Sequence, residues 1–199
     1  MAGVLLICSC TSEKKNDTNV NDNTDANETF MANVSGESGI KGLLAGNVID
    51  ARNGEKVKLS DLGTNGDEKT EPYRYCEIDL DGDGSKETMV EFSEYGNTAI
   101  IHEFENELYA YMIPFRARQT VKADGEMMWS GGADYSGTYR AVFSGKEMEL
   151  TTPLESKFDE DSHYINGEMV SFDEAMDAWD EFDAKDNADW FFVYELFEE

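Results

Sequence analysis

Asp79, Asp81, Asp83 and Glu87 place carboxylates at positions 1, 3, 5 and 9 of a short stretch, Asp79-Leu-Asp-Gly-Asp-Gly-Ser-Lys-Glu87, with Gly84 at position 6. That spacing suits a hard, oxygen-seeking cation. Ca²⁺ takes about 6–8 oxygen ligands at roughly 2.3–2.6 Å, and alternate residues of a curled loop converge on one point. Ser85, at position 7, would add its backbone carbonyl, and Gly84 permits the sharp turn. A helix–loop–helix calcium site carries a bidentate glutamate at position 12; here that position is Val90, inside a β-patterned run. The stretch therefore reads as strand–loop–strand, with Ca²⁺ the expected cofactor and Asp79, Asp81, Asp83, Ser85 and Glu87 its expected ligands. The plain alternative is a solvated acidic turn that holds no ion.

The remaining chemistry-bearing residues are few. Three cysteines, Cys8, Cys10 and Cys76, exclude a disulfide framework. Cys76 lies in an alternating run, Tyr73–Ile78, that puts Cys76 and Ile78 on one face and Tyr75 and Glu77 on the other, so it reads as a small buried hydrophobe. His102 and His163 have no Ser, Cys or second His at recognisable spacing and read as surface or strand histidines. The glycine-rich Trp129–Gly137 stretch lacks the Lys-Ser/Thr ending of a phosphate loop and reads as a wide connection between strands. No catalytic residue is assigned.

Composition narrows the partners. Over 199 residues, 43 acidic side chains face 16 basic ones for a net charge of −27. Such a surface repels phosphate backbones and anionic lipid, which argues against nucleic acid and against membrane docking through the domain itself. The first ten residues, MAGVLLICSC, form a short apolar run ending in small residues. Ile7-Cys8-Ser9-Cys10 resembles the bacterial lipobox, which makes Cys10 the expected lipidation site. No Lys or Arg precedes the run, so either the natural start lies upstream or the likeness is incidental. The run is too short to span a bilayer, which takes about 20 apolar residues. Residues 11–36, rich in Asn, Thr and Asp, bury too little to offset ordering entropy and read as a polar tether. Residues 37–199 read as one β-rich domain.

Around the loop, the pattern predicts a short helix at Ile40–Leu44 and a strand at Val57–Leu59. Strands at Tyr73–Ile78, Thr88–Tyr95, Ala99–Phe104 and Leu108–Phe115 follow, separated by turn residues. Asp124-Gly125 marks a hairpin, and Tyr139–Phe143, Met148–Thr151 and Tyr164-Ile165 add strands. Ser171-Phe-Asp-Glu174 is a capping box opening an amphipathic helix to about Ala184, and Trp190–Leu196 reads as a closing strand. The expected class is α+β: a mostly antiparallel meander with one capped C-terminal helix.

The Ile78–Glu87 segment resembles the D-x-D-G-D-G-x-x-[DE] loop of FG-GAP and VCBS-type secreted β proteins. Together with Ser130–Ala133 and Tyr164–Gly167 leading into Val170-Ser171, roughly Gly42–Leu196 is similar to the β-rich module of uncharacterised surface lipoproteins of low-GC Gram-positive bacteria. The resemblance implies a surface location and calcium, and supplies no reaction. The expected function is that of a lipid-anchored, non-enzymatic binding or interaction module, monomeric, with a cell-wall, extracellular protein or glycan partner. The rival is an extracellular carboxylate-dependent hydrolase or its accessory domain, since acidic pairs abound.

Overall fold

A computed structural model describes residues 36–65 and 68–198. Cys10 and the tether to residue 35 lie outside the described residues. The elements run α1 (Gly36–Ala45), β1 (Asn47–Asp50), β2 (Glu55–Lys58), β3 (Thr64–Asn65), β4 (Glu68–Lys69), β5 (Arg74–Ile78), β6 (Glu87–Glu91), β7 (Thr98–Phe104) and β8 (Glu107–Ile113). There follow β9 (Thr120–Val121), β10 (Met127–Ser130), β11 (Tyr135–Ser144), β12 (Glu147–Lys157), β13 (Ser162–Ile165), β14 (Glu168–Val170), α2 (Phe172–Ala184) and β15 (Phe191–Phe192). The class is α+β, mostly β, as the alternation predicts.

Two sheets hold nearly all the strands. One has seven strands in the order β15-β5-β6-β7-β8-β1-β2; the other has six, β14-β13-β12-β11-β10-β9. Successive antiparallel hairpins build both, with turns where the sequence puts them. Glu105 and Asn106 both take positive φ (53° and 61°), as do Asn166 and Gly167 (50° and 81°), the geometry that two-residue hairpins demand. Two pairings depart from the meander: β15 adds to β5 from far along the chain, and β1 runs parallel to β8, with Ile49 opposite Tyr109. The β1 strand carries little periodic signal in the sequence, because its four residues are two adjacent apolar ones between Asn47 and Asp50. The expected closing strand is also corrected. Only Phe191 and Phe192 pair with β5, and Val193–Phe197 turns into a short 3₁₀ helix, which lets Leu196 drop into the core.

The two faces of the seven-stranded sheet have separate cores. On one, Tyr75, Val90, Ala99, Ile101 and Ala110 pack against Ile40 and Leu43 of α1. On the other, Cys76, Ile78, Met89, Ile100 and Tyr111 meet Val121, Met127 and Ala141 of the six-stranded sheet. Helix α2 contacts β12 and β13, where Trp179 Nε1 donates to Ser156 Oγ at 3.1 Å. Its start carries the expected capping box, with the Glu174 amide on Ser171 Oγ and the Glu174 carboxylate on the Ser171 amide. Its end is held by buried Lys122, whose Nζ donates to the carbonyls of Asp183 and Lys185 and to Asn187 Oδ1. A cation at that end also suits the helix dipole.

Glu91 and His163 are among the interior polar groups. Glu91, fully buried on β6, accepts from Arg74 Nε and from Arg118 at 2.7 Å, and both guanidiniums lie over the Trp190 ring. His163, read as a surface or strand histidine, lies on β13 and is buried between Phe158 and Phe172.

Candidate functional site

The acidic loop joins two adjacent strands of the larger sheet. Strand β5 ends at Ile78 and β6 begins at Glu87, which pairs with it across the hairpin. Between them, Leu80 alone turns inward and is fully buried in the inter-sheet core, anchoring the loop's first turn. The turn of the β9–β10 hairpin backs it: a Cβ on Gly125 would lie 2.7 Å from the Asp79 carbonyl oxygen and 2.8 Å from Leu80 Cα. Gly125 also has φ of +84°, so two independent constraints require glycine there.

Within the loop, carboxylates fold the backbone around themselves. Asp79 accepts from the amides of Gly82 (2.7 Å) and Gly84 (3.0 Å). Asp81 Oδ1 accepts from the Asp83 amide at 3.1 Å, and Asp83 Oδ1 from the Ser85 amide at 2.6 Å. Gly82 and Gly84 sit at φ of +80° and +93°, the left-handed turns that bring alternate side chains to one side. Oxygens of Asp79, Asp81 and Glu87 all lie within 4.8 Å of one another. Asp83 is not in that group, and Ser85 is exposed beyond it. Three of the four expected carboxylates therefore converge.

Glu87 differs from the aspartates in being buried. Its Oε2 accepts from the Leu80 amide at 3.0 Å, and its Oε1 lies 3.2 Å from His102 Nδ1. Burial raises its pKa above the ordinary carboxylate value, the nearby Asp81 charge adds to that, and the Leu80 amide and His102 oppose it. His102 in turn stacks flat on Phe143 of the other sheet, with centroids 4.2 Å apart. Sequence reasoning missed this partner, because it depends on strand register. Thr88 pairs with Ile101, which sets Glu87 beside His102, and no local pattern encodes that alignment.

A cleft of about 390 Å³ opens beside the loop, lined by Asp83, Ser85, Lys86, Glu87, His102, Glu103, Glu105 and Asn106. Every acidic oxygen here is hard, and the basic side chains in the lining are Lys86 and His102. Among the described residues no helix is long and apolar enough to cross a membrane. Comparison with known protein families, with curated proteins and with solved structures finds no match to this chain.

Proposed function

We propose that this chain is a surface lipoprotein anchored through Cys10, whose folded region is a non-enzymatic interaction module with Ca²⁺ bound at the Asp79–Glu87 loop. The observation that carries the ion is the convergence of Asp79, Asp81 and Glu87 oxygens within 4.8 Å on a loop curled by Gly82 and Gly84. Carboxylates so close repel one another, and a divalent cation reverses the sign of that term. The donor set is all oxygen, which suits Ca²⁺ over transition metals. Mg²⁺ fits less well, since it demands near-octahedral geometry and gives up water reluctantly. The role is structural. The loop closes the hairpin of β5 and β6, and its Leu80 reaches the core between the sheets.

Thermal melts in EDTA, in several millimolar Ca²⁺ and in Mg²⁺ test the ion. An ion bound only to the folded state adds about 2.7 kcal/mol at a hundredfold excess over Kd, so Ca²⁺ raises the Tm by several degrees and Asp81→Ala loses most of that shift. Equal wild-type Tm in EDTA and Ca²⁺ removes the structural-ion reading. For the anchor, wild type expressed in a Gram-positive host with its leader partitions into detergent and Cys10→Ala is released to the medium. Equal partitioning of the two forms removes it.

A carboxylate-dependent hydrolase is the second reading, and one observation favours it. Glu87, with its raised pKa, sits in a cleft that Glu103 and Glu105 also line. The first reading is preferred because both Glu87 oxygens already face partners, the Leu80 amide and His102, where a general acid needs one free for its substrate.

A further inference from the structure

Glu87 is fixed from two directions, and one of them leads across to the other sheet. The Leu80 amide of its own hairpin bonds Oε2, and Nδ1 of His102 on β7 stands 3.2 Å from Oε1. A carboxylate that ligates a cation is ionised and can only accept, so the His102 nitrogen facing it is the one that donates. The imidazole has its own support. It lies flat against Phe143 of β11, with centroids 4.2 Å apart and planes 7° from parallel. A ring held that closely cannot tilt its Nδ1 off Glu87 without breaking the stack.

Phe143 is itself held in place. The Tyr111 ring of β8 lies 5.8 Å from it, and the turn after β11 rests on the end of β7, where a Cβ on Gly145 would come 3.3 Å from the Phe104 ring. Alternation along the strands explains why these groups meet. Ile100 on β7 and Ala141 on β11 belong to the core between the sheets. Two residues further along each strand, His102 and Phe143 project from the same faces. The β11–β12 hairpin of the smaller sheet thus reaches the acidic loop through direct contacts, Phe143 to His102 and His102 to Glu87.

We propose that His102 and Phe143 are positioning residues for the cation, so that the smaller sheet sets the affinity of a loop carried by the larger one. The inference rests on the ion reading and adds the regulation of that site: how tightly the loop binds depends on a ring from the other sheet. Groups that orient a ligating side chain commonly govern metal affinity by about 10–100-fold. Holding Glu87 in place before the ion arrives also spares the cost of ordering it on binding.

The experiment is calorimetric titration of Ca²⁺ into the full chain, stripped with EDTA and dialysed, as a double-mutant cycle on His102 and Phe143. His102→Phe keeps a flat ring against Phe143 and removes the donor; Phe143→Leu keeps the donor and removes the stack. The expected result is that His102→Phe weakens binding about tenfold and Phe143→Leu severalfold. The double variant then binds no more weakly than His102→Phe alone, because the ring acts only through the donor. A role for Phe143 in general packing lowers affinity by the same factor in both backgrounds, so additive losses overturn the proposal. Wild-type affinity in Phe143→Leu also overturns it and leaves the ion reading standing, whereas no binding to wild type removes both. Trp179→Phe, which loses the bond to Ser156, lowers the Tm and leaves Ca²⁺ affinity unchanged; a loss there equal to that of Phe143→Leu marks a plain stability effect and overturns the proposal. Should Phe143→Leu fail to fold, Phe143→Met completes the cycle with the same outcomes.

Discussion

Two buried glutamates on one strand show how differently a single residue type is used. Glu87 and Glu91 stand at the two ends of β6, and both are buried. Glu91 faces two guanidiniums and is neutralised by Arg118, itself 1% exposed, and by Arg74. Among the described residues no Lys or Arg pairs with Glu87. It receives one amide and an imidazole, next to two aspartates. The first arrangement is complete; the second leaves carboxylates together with no paired positive side chain, the chemistry on which the ion reading rests. The contrast gives a stability prediction. Arg118→Met keeps much of the volume but strands a carboxylate that no water reaches, so it should cost about 3–5 kcal/mol in urea unfolding. Pairing Arg118→Met with Glu91→Gln should restore a large part of that loss. If Arg118→Met alone costs under about 1 kcal/mol, Arg74 suffices and the buried triad is not a unit.

Among the elements, the hairpins β5–β6 and β9–β10 position the site jointly, though only one of them carries the candidate ligands. Gly125, at the tip of the second, rests on the backbone of Asp79 and Leu80. Gly125→Ala meets both a Cβ contact at 2.7 Å and a φ of +84°. It should destabilise by about 1–3 kcal/mol, and it should also diminish the Ca²⁺-induced rise in Tm, because relief of the clash displaces Asp79. Gly132→Ala, where a Cβ meets nothing, should change neither. A Ca²⁺ shift unaltered in Gly125→Ala would show that the two hairpins act independently. The Asp-Gly dipeptide made the β9–β10 turn legible in the sequence, as the capping box did α2 and the carboxylate spacing did the loop. What sequence could not give is who stands behind each turn. That Gly125 backs Asp79, that His102 faces Glu87 and that Arg118 reaches Glu91 all depend on sheet order and register between segments far apart in the chain. The short strands β1 and β15 escaped or were overdrawn for a related reason: so few residues carry no periodicity, and their pairing is decided by neighbours already in place.

Over the whole molecule, charge sets a stability that depends on pH from both sides. With 43 acidic and 16 basic residues, the folded chain repels itself at neutral pH, and any group that binds a proton more tightly when folded makes acid favourable. Glu87 is such a group. Its pKa is raised by burial and by Asp81, so between its unfolded and folded values the native state holds more protons, and stability falls as pH rises. Asp50 and Asp124 have the opposite sign. Arg52 bonds hold Asp50 below its ordinary value. At Asp124 burial pulls upward, but Lys185, the Glu126 amide and Arg140 outweigh it. Their contribution is fully present above the unfolded aspartate pKa of about 3.9 and disappears as pH falls through their lowered folded values. At the alkaline end, burial pushes the Cys76 thiol up to about 12, and stability drains away as pH passes the unfolded thiol value of about 8.5. Measured in EDTA, the Tm should therefore rise as pH falls from neutral toward the ordinary glutamate value of about 4.3, then fall as pH drops below the aspartate value of about 3.9. Added Ca²⁺ should raise the neutral limb most and flatten the climb, because an ion at Glu87 competes with the proton that otherwise relieves it. A Tm that is level from pH 8 to 5 in EDTA, or a climb that Ca²⁺ leaves untouched, would show that the loop carboxylates do not govern the neutral limb.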